Sequence, residues 1–120
     1  MYGQRKFKNK RELRDGRSFA SKFEATLYDQ LKEREENKEI GVLECQVSVY
    51  LTEAKILYKP DFRAFDNGLG VWVWFEAKGF ETDVWRIKKR LWKCYGPGRL
   101  EIYKGSYKSG AKLVEVLSPC

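Results

Sequence analysis

A chain of 120 residues and 14.2 kDa has the length of one domain built on one core. Its 42% hydrophobic and 15% aromatic residues are too many for a disordered chain, and its 34% charged residues are too many for a membrane protein. The complete absence of histidine excludes Ser-His-Asp hydrolysis, HEXXH zinc peptidases and Cys2His2 fingers, so an active site must be assembled from carboxylates and lysine.

The longest apolar run, residues 71–75, is far short of the roughly 18 residues of a membrane span, and no signal-peptide pattern opens the sequence. A cytoplasmic protein without a membrane partner is expected. Cys45, Cys94 and Cys120 form no CxxC pair, so neither a zinc site nor a disulfide framework is expected. The net charge of +7 is segregated: residues 1–22 and 85–104 each carry +6, and residues 23–84 between them carry −6. Basic flanks around an acidic centre suit a polyanion held on both sides of a metal site, although a solvated tail and a charged helix face would give the same counts.

In chain order, residues 1–17 lack apolar periodicity and are expected to form a basic arm, in which Lys8, Lys10, Arg11, Arg14 and Arg17 can meet phosphates. The domain proper is expected over residues 18–120. Residues 18–37 predict a helix with Phe19, Phe23, Leu27 and Leu31 along its buried stripe and Ala25 on the other side. Glu24 falls at the edge of that stripe, where a carboxylate needs either a cation or a role in a Ser21 to Glu24 capping box. Strands are expected over 42–51, 56–65 and 70–78, the last two joined as a hairpin across Asp66-Asn67-Gly68. A second helix should run from Thr82-Asp83 to Tyr95 and stop at Gly96-Pro97-Gly98, followed by short strands at 99–103 and 113–117. This order predicts an α/β fold, a mixed sheet flanked by helices in a single domain.

Glu76 and Lys78, two apart, leave the third strand on one face, directly after five apolar residues. The hairpin brings Asp61 of the preceding strand near Glu76. Two carboxylates with a lysine suit a hard cation such as Mg2+, which prefers oxygen ligands and leaves positions open for a phosphate. Glu44 and Gln46 share a face of the first strand, and Gln46 is a further candidate for the site.

Pro60-Asp61, fourteen intervening residues and then Glu76-Ala77-Lys78 resemble the PD-(D/E)XK nuclease signature, with Glu24 at that superfamily's upstream acidic position. The local texts Tyr58-Lys59-Pro60-Asp61-Phe62 and Phe75-Glu76-Ala77-Lys78-Gly79 are most similar to phage endonuclease I-type Holliday-junction resolvases and related small phage nucleases. The resemblance spans about residues 17–104. It implies a restriction-endonuclease-like fold and Mg2+-dependent phosphodiester hydrolysis, with Mn2+ able to substitute. It further implies Asp61, Glu76 and the Ala77 carbonyl as metal ligands, Glu24 as ligand of a second metal, and Lys78 as the group that activates water or stabilises the phosphate. The Gln-x3-Tyr motif of the exonuclease branch is replaced by Leu91 four before Tyr95, so processive exonuclease action is not expected.

On the second helix, Arg86, Lys89, Arg90 and Lys93 project as one basic face and Val84, Ile87, Leu91 and Tyr95 as the apolar face. The basic face can follow a phosphate backbone. Lys88 projects inside the apolar arc, where it either snorkels to the surface or turns toward the carboxylates. Trp85 and Trp92 are expected in the core rather than as base-stacking platforms. The expected function is a structure-selective DNA endonuclease, phage or mobile-element in origin, acting on branched DNA as a homodimer, in the host cytoplasm if phage-encoded. A nicking or transposon-end nuclease and a non-catalytic nucleic-acid-binding module are the alternatives.

Overall fold

Asp15 and Gly16 both have positive φ, 51° and 77°, the backbone of a tight primed turn that folds Glu12–Arg14 (β1) back on Arg17–Phe19 (β2). The computed structural model describes residues 12–119; Lys8, Lys10, Arg11 and Cys120 lie outside the described residues. From Glu12 onward, therefore, the segment expected as an arm is part of the fold. Its hairpin is tied to the first helix by Arg14 Nε to Asp29 at 3.0 Å and by the Tyr28 hydroxyl donating to Asp15 at 2.9 Å. Phe19 is buried against Tyr28 with ring centroids 4.8 Å apart.

Ser21 is extended and its hydroxyl accepts the Glu24 N–H at 3.1 Å, so α1 begins at Lys22 and runs to Glu36 instead of starting at residue 18. Its buried side chains are Glu24, Ala25, Leu27, Tyr28 and Leu31, which corrects the expected stripe: Phe19 belongs to β2, and Ala25 is in the core. The hydroxyl half of the capping box is present, and the Glu24 side chain is buried.

Each of the first two expected long strands is divided in two. Ile40–Cys45 (β3) is separated from Val49–Leu51 (β4), and Ile56–Tyr58 (β5) from Phe62–Asp66 (β6). Pro60, with no N–H to offer a ladder and restricting the residue before it, breaks the second. The pieces β4 and β5 pair with each other as a separate small hairpin. Val71–Ala77 (β7), Arg99–Ser106 (β8) and Gly110–Leu117 (β9) complete a five-stranded sheet of order β3-β6-β7-β8-β9. Only the β7–β8 pair is parallel, and its crossover is α2, Asp83–Tyr95, capped by Thr82.

Side-chain alternation along β7 sorts the core into two layers. Val73 and Phe75 join Leu27, Tyr28 and Leu31 of α1, whereas Trp74 joins Trp85 and Trp92 of α2 together with Leu51 and Tyr58 of the small hairpin. The chain is thus a single α/β domain, a mixed sheet with one helix on each face. Among the described residues no helix is long and apolar enough to cross a membrane.

The orientation of α2 differs from the expected one. Trp85 and Trp92, the residues expected in the core, are buried, but Val84, Ile87 and Tyr95 of the supposed apolar face are 60%, 55% and 55% exposed. Burying two indoles seven residues apart removes more apolar surface from water than burying Val84 and Ile87, and this sets the helix rotation. The indole of Trp92 donates to the Gly98 carbonyl at 2.8 Å, and a Cβ at Gly96 would stand 2.6 Å from its ring, so the turn after α2 is built around this side chain.

Candidate active site

The register Phe62↔Phe75 sets Asp61, one residue before β6, beside the end of β7. Its Oδ2 accepts the Ala77 N–H at 2.8 Å and its carbonyl accepts the Gln46 N–H at 2.9 Å, so both neighbouring strands hold it. Glu76, 6% exposed, points to the α2 side of the sheet. The Tyr58 hydroxyl donates to its Oε1 at 2.7 Å, and Lys78 Nζ lies 3.4 Å from its Oε2. The same ammonium sits 4.4 Å from the centroid of the Trp85 ring, a cation–π contact that fixes it from below. The sheet therefore brings together Asp61, Glu76 and Lys78 as expected from the hairpin and the two-residue spacing.

Charge in this cluster is held against burial. The Asp61 carboxyl is pushed well above the ordinary carboxylate range, first by desolvation and then by the charges of Glu76 and Glu24, with the Ala77 N–H and Lys78 opposing. Desolvation also raises Glu76, and the hydrogen bond from Tyr58 and the Lys78 charge oppose it. Tyr58 is raised in turn by burial and by Glu76, so it remains a protonated donor. Tyr58 is the residue that sequence reasoning missed. It stands three before Asp61 within the Tyr58-Lys59-Pro60-Asp61-Phe62 text, but only the folding of β5 over the end of β7 reveals its partner.

Glu24 reaches this region from α1, on the other side of the sheet. Its charge acts on Asp61, and it lines an open groove of about 310 Å3 with Arg17, Cys45 and Gln46. Gln46 is exposed at positive φ (51°), and its contact to the site is through its backbone N–H. Ala77 likewise engages Asp61 through its N–H. Glu44 pairs with Arg63 at 2.8 Å, away from the cluster.

The expected basic face of α2 is divided. Arg86 pairs with Asp83 at 2.9 Å, and Lys89, mostly covered, pairs with Glu115 of β9 at 2.6 Å, whereas Arg90 and Lys93 are exposed. Lys88 instead lines a cavity of about 470 Å3 with Lys78 and Lys59. Of the arm residues, Arg14 is committed to Asp29, and Arg17 is exposed at the Glu24 groove.

Residues 4–108 match a protein family described as a protein of unknown function (DUF1064). The chain belongs to this family. No curated protein matches it. In this DUF1064 chain the matched span includes α1, β7 and α2, and so every member of the cluster.

Among the described residues no group of three or more Cys, Asp or Glu side chains is arranged to hold a metal ion, so Glu24 is not drawn into one ligand set with Asp61 and Glu76. The pair itself fits a hard cation. Two neighbouring carboxylates, Glu76 buried and Asp61 half-buried and both displaced toward the protonated form, have one lysine to balance them, and a dication that takes oxygen ligands and keeps its own waters would relieve the imbalance.

Proposed function

We propose that this DUF1064 chain is a metal-dependent deoxyribonuclease that hydrolyses phosphodiester bonds, with branched DNA as its substrate. The observation that carries the reading is the Asp61, Glu76 and Lys78 cluster at the end of β7. Glu76 is buried and Asp61 half-buried beside it, the charge of Glu76 raising the cost of ionising Asp61, the lysine is fixed by Glu76 and Trp85, and the cluster matches the signature read from the sequence.

Asp61 and Glu76 would hold Mg2+, or Mn2+ in its place. When bound, the ion supplies Lewis-acid stabilisation of charge developing on the scissile phosphate. Asp61 is presented by its bond from the Ala77 N–H, and Tyr58 occupies one Glu76 oxygen, leaving the other toward Lys78. Lys78, held beside Glu76, donates hydrogen bonds either to a non-bridging phosphate oxygen or to the attacking water. Trp85 and Tyr58 pack against Lys78 and Glu76 and hold the pair in place. One chain carries one such cluster, and resolving a junction requires two cuts, so the active species on branched DNA is a homodimer.

The reading is tested by incubating the protein with linear duplex, nicked circle, single strand and four-way junction in Mg2+, Mn2+ or EDTA. Cleavage of the junction in either metal and none in EDTA is the expected result. Binding of all four substrates with no product in any metal would assign the chain as a non-catalytic nucleic-acid-binding module, and single nicks by a monomer would assign a nicking enzyme.

A further inference from the structure

The cavity between β5 and α2 has a composition unlike the other grooves described on the surface. It is lined by Lys59, Lys78 and Lys88, with Leu57, Val84 and Trp85 as its apolar wall, and no carboxylate lines it. The groove beside α1 carries Asp15, Asp29, Glu33 and Glu36, and the one beside Gln46 carries Glu24. Lys78 is balanced by Glu76. Lys59 and Lys88 have no carboxylate within ion-pair distance among the described residues, whereas Arg86 and Lys89 on the same helix are both paired. Two ammonium groups without carboxylate partners on one solvent-open groove make a local positive potential that attracts an anion.

We infer that this cavity is a subsite for a backbone phosphate and its sugar, one step along the strand from the phosphate that is hydrolysed. The inference rests on the nuclease reading for its place in the reaction. Its volume of about 470 Å3 is in the range of small-ligand sites and accommodates a phosphate with an attached sugar. Leu57, Val84 and Trp85 cover the sugar, while Lys59 and Lys88 meet the phosphate oxygens. Lysine is a point charge without the bidentate geometry that reads base edges, so the subsite positions the strand independently of sequence. Lys78, shared by this cavity and the carboxylate cluster, is the physical link between them. Lys59 and Lys88 are thus positioning residues.

The test uses the full chain, a fluorescein-labelled 12-base-pair duplex and EDTA buffer, with affinity measured from 0.05 to 0.3 M salt. Lys59→Gln and Lys88→Gln should each flatten the log-log salt slope by about 0.9 and weaken binding about eightfold at 0.1 M. Lys59→Arg and Lys88→Arg should restore the slope, and Lys38→Gln, in the turn after α1, should leave it at the parent value. Parent slopes in both Gln variants would overturn the subsite, as would displacement of the duplex by millimolar inorganic phosphate, which would make the cavity a free-anion site. Binding that depends on Lys59 and Lys88 without cleavage in Mg2+ would leave the subsite standing and remove the hydrolase reading. Cleavage with Lys-independent binding would do the reverse.

Discussion

Asp61 keeps its carboxyl in a place that favours the proton, because burial and the charges of Glu76 and Glu24 all act against ionisation. A carboxyl whose folded pKa is raised above its unfolded value destabilises the fold as pH rises from the ordinary carboxylate range through the raised one, and the deficit is then constant. Asp61→Asn should therefore raise Tm at pH 7.5 by about 3–5 °C, on the order of 1 kcal/mol for a small domain, and by less at pH 4.5. Thermal melts at both pH values check this; an unchanged or lowered Tm at pH 7.5 would mean that the carboxylate is satisfied. Added Mg2+ should raise Tm in the parent and not in Asp61→Asn.

Tyr58 gives a second prediction at the residue scale. Tyr58→Phe removes the hydrogen bond that favours ionised Glu76, so the acidic limb of the pH–rate profile should move to higher pH, with a stability loss of about 1–2 kcal/mol. An unmoved limb would show that Glu76 does not govern the rate. The three residues of the cluster were legible in the sequence because strand alternation and hairpin pairing are local rules. Tyr58 was not, since its partner Glu76 lies across the docking of a small hairpin that no periodicity encodes.

Among the elements, α2 shows most clearly where helical projection stops. It correctly gave a 13-residue helix, but two candidate buried faces, 84/87/91/95 and 85/92, compete within it, and only the sheet beneath decides between them. Trp92→Ala should cost about 3–5 kcal/mol in urea unfolding, whereas Ile87→Ala should stay within about 0.5 kcal/mol. Equal losses would restore the face expected from the sequence. Other boundaries were written more plainly: Asp15-Gly16 is a hairpin signal inside what reads as an arm, and Pro60 divides a strand. The bulge in β3 follows Gly41, but the residue that takes the positive φ, 54°, is Val42, whose side chain gives no sign of it.

At the scale of the whole molecule, the segregation of charge acquires a partly structural meaning. The acidic central segment supplies Asp61 and Glu76, and its basic flanks are divided between ion pairs such as Arg14–Asp29 and Lys89–Glu115 and uncommitted cations such as Lys88, Arg90 and Lys93. Light scattering on the junction-bound protein should give two chains per junction, because two cuts need two clusters; one chain per junction would support nicking. The most direct measurement is junction cleavage in Mg2+ by the parent and by Asp61→Ala and Glu76→Ala, alongside junction binding by all three. The expected result is cleavage by the parent only, a loss of at least about 100-fold in each variant, and retained binding throughout. Substantial cleavage by either variant would contradict the assignment of the site.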